Sequence, residues 1–201
     1  ELSYRKETGM ALPSFSLEGK VALIAGGSRG IGRAIALGFA EAGADVAVCA
    51  RNLPDLEQVA QEIRRRGRRA LPLQANVTVK AEVENMVART VAELGAIDIL
   101  VNNAASSVLR PMIELREDGW DKVMNLGVKS YFLCSQAAAR VMLERKKGNI
   151  INISSGAAAR AEALMSAYCT AKAGVAMFTR VLAIELAPFV RVNALGPGLV
   201  K

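Results

Sequence analysis

Histidine is absent from all 201 residues of the chain. That removes Ser-His-Asp and Cys-His nucleophilic triads and every histidine metal site. Cysteine is scarce. Cys49, Cys134 and Cys169 are odd in number, widely scattered and never in a Cys-x-x-Cys arrangement. They fit reduced thiols in apolar segments of a cytoplasmic protein better than a disulfide framework, and no metal site is expected. Aromatic residues make up only 4% of a chain that is 52% hydrophobic, so the core must be aliphatic and alanine-rich. No apolar run is long enough to span a membrane, and no membrane partner is expected. Residues 1–16 carry mixed charges without the apolar stretch of a secretory signal, and read as an extended leader. Acid–base chemistry is left to Tyr, Lys, Asp, Glu or Cys.

The net charge is +7, with a dense basic run from Arg64 to Arg69 broken only by Gly67. Such a run can mark a nucleic-acid surface. Here it ends a helical pattern, where cations complement the helix dipole and Gly67 suits the C-cap. No aromatic residues are interleaved to stack bases. No nucleic-acid partner is expected.

Short apolar runs alternate with longer amphipathic patterns. The periodicity predicts strands at 20–26, 45–50, 70–75, 97–102, 149–154 and 190–195. It predicts helices at 30–42, 54–66, 79–94, about 117–146 and about 166–187. Apolar strands alternating with helices imply an α/β fold with a doubly wound parallel sheet of Rossmann type, covered on both faces. No internal linker or solenoid repeat interrupts it, so 17–201 reads as one domain.

The first predicted strand runs into Gly26, Ser28, Arg29, Gly30, Ile31 and Gly32. Glycines at a strand-to-helix turn permit a tight bend and close backbone approach to a pyrophosphate, which the helix N-terminus then attracts. A glycine cluster alone is as well explained by packing; the strand–turn–helix context favours a nucleotide. A carboxylate about 20 residues on would bind the ribose 2′-hydroxyl of NAD(H). The second strand instead ends Val48-Cys49-Ala50-Arg51-Asn52. Arg51, with Arg29 in the turn, suits the extra phosphate of NADP(H), which is expected over NAD(H).

The segment Ser166-Ala167-Tyr168-Cys169-Thr170-Ala171-Lys172 places a tyrosine and a lysine four apart, on one face of a predicted helix. A nearby ammonium favours the phenolate form of a tyrosine, one way to build a proton donor that works near neutral pH. Taken alone, the pair is also an ordinary surface pair.

Further strings stand at fixed places: Asn102-Asn103-Ala104-Ala105 after the fourth strand, Ser154-Ser155 after the fifth and Pro197-Gly198 after the sixth. Together with the glycine turn and Tyr168-x-x-x-Lys172, they make the chain resemble the classical short-chain dehydrogenases/reductases over about residues 17–201. Within that family it looks most like bacterial 3-oxoacyl-carrier-protein reductases and their relatives. The resemblance implies Tyr168 as general acid in carbonyl reduction and base in alcohol oxidation. Lys172 would hold the nicotinamide ribose and favour the tyrosinate, and Ser155 would bond the substrate carbonyl oxygen. Asn103, Ala104, Pro197 and Gly198 would border the cofactor, as would Tyr168. Asn76 and Val77 stand where the family meets the adenine, with Asn76 replacing the frequent Asp. The resemblance also implies a homodimer or homotetramer through the helices at about 117–146 and 166–187. It further implies that a substrate-binding segment belongs after Lys201.

One departure bears on catalysis. The family pattern has an asparagine seven residues after a tryptophan such as Trp120, and that asparagine anchors a water in the proton relay to the lysine. Counting seven gives Gly127. Asn125 is two residues early and on a regular helix would face about 200° away. Gly127 is therefore expected to slow turnover, and Gly127→Asn to raise kcat; the alternative is that another group or a backbone carbonyl holds the water, so that Gly127→Asn does nothing or clashes. The favoured function is an NADP(H)-dependent oxidoreductase acting on a small carbonyl or secondary alcohol, with acyl thioesters among the candidates. The alternative is a catalytically weak or non-catalytic NADP(H)-binding regulator. The joint presence of Ser155, Tyr168 and Lys172 favours the enzyme. Lys146 and Lys147 could meet an acidic carrier or coenzyme A phosphates, or be solvated helix-end lysines.

Overall fold

The computed structural model describes residues 15–199. Most of the expected leader and the chain end at Lys201 lie outside the described residues. Six strands form one sheet: β1 (Val21–Ala25), β2 (Asp45–Ala50), β3 (Ala70–Gln74), β4 (Ile99–Asn102), β5 (Gly148–Ile153) and β6 (Val190–Leu195). Their order is β3-β2-β1-β4-β5-β6, and every neighbouring pair is parallel. This is the expected doubly wound sheet. The order reverses between β1 and β4, where such sheets open a crevice beyond the strand C-termini.

The strands are short and β-branched or alanine-rich, and alternate residues face opposite layers. Leu23, Leu100 and Ile150 join one core, with Met86 and Val87 from α3 (Lys80–Leu94) and Ala138 and Met142 from α5 (Ser130–Glu144). Ile24, Val46, Val48 and Val101 join the other. There they meet Ala36 and Ala40 from α1 (Gly30–Glu41) and Leu56, Val59 and Ile63 from α2 (Leu53–Arg65). Leu23 and Ile24 are fully buried on opposite faces of β1. Truncating either to alanine would cost about 2–5 kcal/mol.

The basic run after α2 is largely structural. Arg69 Nε donates to Asp45 Oδ2 at 2.7 Å, and another of its nitrogens reaches the Leu94 carbonyl at 2.9 Å. Arg68 bridges Glu18 at 2.9 Å and Asp45 at 3.3 Å. Two neighbouring cations thus secure the entry to β2 and the end of α3. Burial alone would raise the Asp45 carboxyl, but the Arg69 bonds and the Arg68 and Arg69 charges leave it below its ordinary value. Lys146 and Lys147 precede β5, whereas Ser155 follows it. The six-residue strand between them spans roughly 20 Å. These lysines therefore sit at the opposite end of the sheet from the predicted chemistry.

The helical stretch expected at about 117–146 runs unbroken from Glu117 to Glu144, but not with uniform winding. An α-helix, α4 (Glu117–Met124), passes into a wide π turn over Asn125–Lys129 before α5 begins. The Ser130 N–H reaches back to the Asn125 carbonyl, five residues earlier. The Ser130 hydroxyl donates to the Leu126 carbonyl at 2.6 Å. Gly127 lies inside this turn against the last long helix, α6 (Ser166–Glu185), where an added Cβ would sit 3.3 Å from the Ala171 Cβ. A face estimate for Asn125 based on regular helical winding does not apply across this turn.

Candidate active site

The glycine turn is shaped by close approach. The N–H groups of Gly26 and Gly27 donate to the Cys49 carbonyl at 2.8 and 3.1 Å, tying the turn to the end of β2. Gly26 has φ +87°, and a Cβ there would stand 2.8 Å from the Ala104 nitrogen. A Cβ on Gly32 would overlap the Gly26 carbonyl and approach Asn103 Nδ2 at 2.5 Å. Asn103 Nδ2 in turn donates to the Gly26 carbonyl at 2.8 Å. Asn103 and Ala104 therefore buttress the turn from β4. Arg29 occupies the N-cap of α1, and no side chain caps that helix. Its first N–H groups remain available to an anion.

Beyond β5, Ser155 is extended and begins a short 3-10 turn, its hydroxyl accepting from the Ala157 N–H at 3.2 Å. Ser155, Tyr168, Pro197 and Gly198 line one cavity of about 580 Å³, together with Ala105 and Ser106. Four of the predicted site residues thus meet across loops that follow β5 and β6 and the first turn of α6.

Lys172 lies behind Tyr168. Its residue is 2% exposed, and its ammonium donates to the Ile153 carbonyl at 2.7 Å. A second contact, at 3.5 Å, reaches the hydroxyl of Tyr131 on α5. The ammonium stands 5.4 Å from the centre of the Tyr131 ring and 5.7 Å from that of Tyr168. Burial lowers the Lys172 pKa to about 8. Tyr131 donates to the same Ile153 carbonyl at 2.9 Å, and burial pushes its phenol up. Sequence reasoning missed Tyr131. The available signal was its place four residues after Gly127, among only three tyrosines.

The comparisons with known proteins now bear on this geometry. The family model described as "short chain dehydrogenase" matches residues 20–201. The chain belongs to the short chain dehydrogenases. It is 40% identical over 191 residues to the 2-dehydro-3-deoxy-D-gluconate 5-dehydrogenase of Escherichia coli, covering 94% of this chain and 75% of that one. It is 38% identical over 187 residues to a 3-oxoacyl-[acyl-carrier-protein] reductase of Synechocystis, covering 92% and 76%. A solved short-chain type dehydrogenase/reductase from Mycobacterium marinum superposes with a TM-score of 0.89 at 41% identity, covering 92% and 76%. A solved NAD+-bound xylitol dehydrogenase does so with a TM-score of 0.88 at 33% identity, covering 90% and 70%.

In this short chain dehydrogenase Asn76, expected near an adenine, is already engaged within its own turn. The Asn76 carbonyl oxygen already accepts from the Thr78 N–H at 3.1 Å and the Thr78 hydroxyl at 2.8 Å. Both lone pairs are engaged, so the amide offers an incoming base its Nδ2 and not an acceptor. Val77 beside it is buried. Arg29 and Arg51 are exposed, and Ser28 and Ile31 are half-buried in the turn. A buried polar chain also went unforeseen. Asn102 donates to Ser135 at 2.9 Å and to Asn152 at 2.8 Å, and Asn152 donates to Thr179 at 2.9 Å. It locks β4 and β5 to α5 and α6 just below the site. Burial holds the Cys49 thiol up to about 12 and raises that of Cys134 as well, so neither offers a nucleophile. Among the described residues no group of His, Cys, Asp and Glu could hold a metal, and no helix is long and apolar enough to cross a membrane.

Proposed function

We propose that this short chain dehydrogenase interconverts a carbonyl compound and its secondary alcohol with NADP(H), in the cytoplasm. The observation that carries the proposal is the grouping of Ser155 and Tyr168 in one cavity with the Lys172 ammonium directly behind Tyr168. The glycine turn fits a dinucleotide, because its backbone is bare where side chains would intrude and the N-terminus of α1 is uncapped. Gly26, Ser28, Arg29, Gly30, Ile31 and Gly32 would hold the pyrophosphate side. Arg29 and Arg51 would meet the 2′-phosphate, and Asn76 and Val77 the adenine. Asn103, Ala104, Pro197 and Gly198 would border the nicotinamide side, with Lys172 at its ribose.

When bound, the cofactor supplies or accepts the hydride. In reduction, Ser155 orients the substrate carbonyl by donating to its oxygen. Tyr168 gives its hydroxyl proton to that oxygen as the carbon gains the hydride, and Lys172 stabilises the phenolate left behind. In oxidation the same proton returns to Tyr168. A homodimer or homotetramer is supported by apolar residues left exposed along α5 and α6, among them Phe132, Met177, Val181 and Ile184.

A screen of ketones and acyl thioesters with NADPH on the full-length protein tests the proposal. NADPH oxidation is expected with at least one compound. Tyr168→Phe should lower its rate about 10²- to 10⁴-fold while NADPH still binds. Retention of most of the parent rate in Tyr168→Phe would remove Tyr168 from the chemistry.

A further inference from the structure

Tyr131 is a buried side chain whose hydroxyl needs an explanation that packing does not give. The residue is 1% exposed, and phenylalanine would fill the same volume. A buried hydroxyl costs desolvation unless it is bonded. This one is bonded to two things, the Ile153 carbonyl and the Lys172 ammonium. Among the described residues it is the one side chain that hydrogen-bonds Lys172 Nζ. Gly127, one turn earlier in the chain, contributes no polar side chain.

We infer that Tyr131 is a positioning residue for catalysis: its hydroxyl and the Ile153 carbonyl together fix the Lys172 ammonium against Tyr168. An ammonium has three N–H donors. Two are committed inward, to Ile153 at 2.7 Å and Tyr131 at 3.5 Å. The third is uncommitted, on an ammonium flanked by the Tyr131 ring at 5.4 Å and the Tyr168 ring at 5.7 Å. A free lysine chain has four rotatable bonds and would spread that donor over many directions. The assignment rests on the proposed role of Lys172 and names what holds it.

The groups facing Lys172 make the test readable. From its own helix α6 there is Tyr168. From α5 there is Tyr131, with Cys134 acting on Tyr131. From the end of β5 come only the Ile153 carbonyl and the Ser154 hydroxyl, which bonds the Lys172 carbonyl at 3.1 Å. The π turn brings Gly127 against Ala171. No carboxylate contributes to the lowered Lys172 pKa, whose cause is burial. Removing the Tyr131 hydroxyl takes away an acceptor that favours the ammonium, so the Lys172 pKa should fall further.

The experiment uses full-length parent, Tyr131→Phe and Lys172→Ala. The pH dependence of kcat/KM is followed from 6 to 10 with NADPH and the best compound from the screen. Separately, Lys172 is titrated by NMR in protein carrying ¹³C-labelled lysine, its resonance identified by its loss in Lys172→Ala. In the parent, both the alkaline limb and the Lys172 midpoint should fall near 8. In Tyr131→Phe both should move to lower pH by about 0.5 to 1, with kcat at pH 7 down about 3- to 10-fold. The ring and its cation–π contact persist in Tyr131→Phe, so the variant isolates the hydroxyl. A Lys172 midpoint that does not move would overturn the assignment, even if Tm or kcat falls, because a purely structural role predicts those losses alone. The NMR arm needs no substrate and decides the matter if turnover is never found. If Lys172→Ala leaves turnover and NADPH binding intact, the proposed function fails first, and visibly so.

Discussion

The two walls of the candidate site are built on opposite principles. The proposed nucleotide wall, from Gly26 to Gly32, works by what it leaves out: backbone approaches backbone, and a Cβ added at Gly26 would stand 2.8 Å from the Ala104 nitrogen and one at Gly32 2.5 Å from Asn103 Nδ2. The Lys172 chamber works by what it packs in. An ammonium that is 2% exposed is enclosed by two tyrosine rings and one carbonyl. The first wall has no room for a side chain at Gly26 or Gly32, and its parts are neighbours in sequence. The second is assembled from α5, α6 and β5, and it carries a standing cost in stability. If the first wall binds a dinucleotide and the second poises a charge, as proposed, substitutions should separate the two.

Lys172→Met should separate them most strongly. Burial depresses the Lys172 pKa from its ordinary value to about 8. Between those values the unfolded chain binds more protons than the folded one, so the parent gains stability as pH rises from 8 toward 10. Below 8 the full cost of the buried charge is present. Replacing it with an apolar chain of similar length should stabilise the protein by about 1–3 kcal/mol at pH 7 while abolishing turnover. Denaturant melts of both proteins at pH 7 and pH 9.5 check this, and the gap should shrink at the higher pH. A methionine variant less stable than the parent at pH 7 would mean the Ile153 and Tyr131 bonds outweigh the desolvation.

The nucleotide wall should answer to a different change. Neither Arg29 nor Arg51 is engaged in an ion pair among the described residues, and the residue directly after β2 is Arg51 rather than an acid. The paired substitution Arg29→Ala with Arg51→Ala should weaken NADPH binding about tenfold and leave NADH nearly untouched. The loss should shrink as salt is raised, because both guanidinium groups are exposed. Fluorescence titration with both cofactors checks it. Equal parent affinities for NADPH and NADH would return the choice to NAD(H), the form bound in one solved relative.

The same contrast explains what could be read from the sequence. The strands announced themselves because each is a short apolar run between turn residues, and the glycine turn because its spacing is local. Ser155, Tyr168, Pro197 and Gly198 were legible as strings, and the cavity gathers them. The contacts of the chamber leave no local trace. Tyr131 and Lys172 are 41 residues apart, and Lys172 and Ile153 are 19 apart. A carbonyl partner is invisible in a residue name. The chain Asn102–Asn152–Thr179 is hidden for the same reason, and so is the close packing of the π turn on α6, where Gly127 meets Ala171.

Gly127 sits at the meeting of the two readings, and the smallest effect is expected there. On sequence grounds its missing side chain should slow turnover, and Gly127→Asn should restore it. The structure supplies two reasons for the opposite outcome. The Lys172 ammonium is already positioned by Ile153 and Tyr131, so its placement does not depend on an added amide. An added Cβ would also stand 3.3 Å from the Ala171 Cβ, tighter than ordinary contact, on a helix position that is itself buried. Relief at that contact requires the π turn and α6 to part by a few tenths of an ångström, in a core where even one methylene is felt. Asparagine regains part of the roughly 1 kcal/mol that glycine forfeits in a helix, which offsets some of that strain. The two terms nearly cancel, so Gly127→Asn should change stability by less than about 1 kcal/mol and kcat by less than about twofold. Steady-state kinetics and melts of parent and variant check both numbers. A kcat that rises fivefold or more would show that the chamber lacks a polar group at this position after all, and that Tyr131 does not complete it.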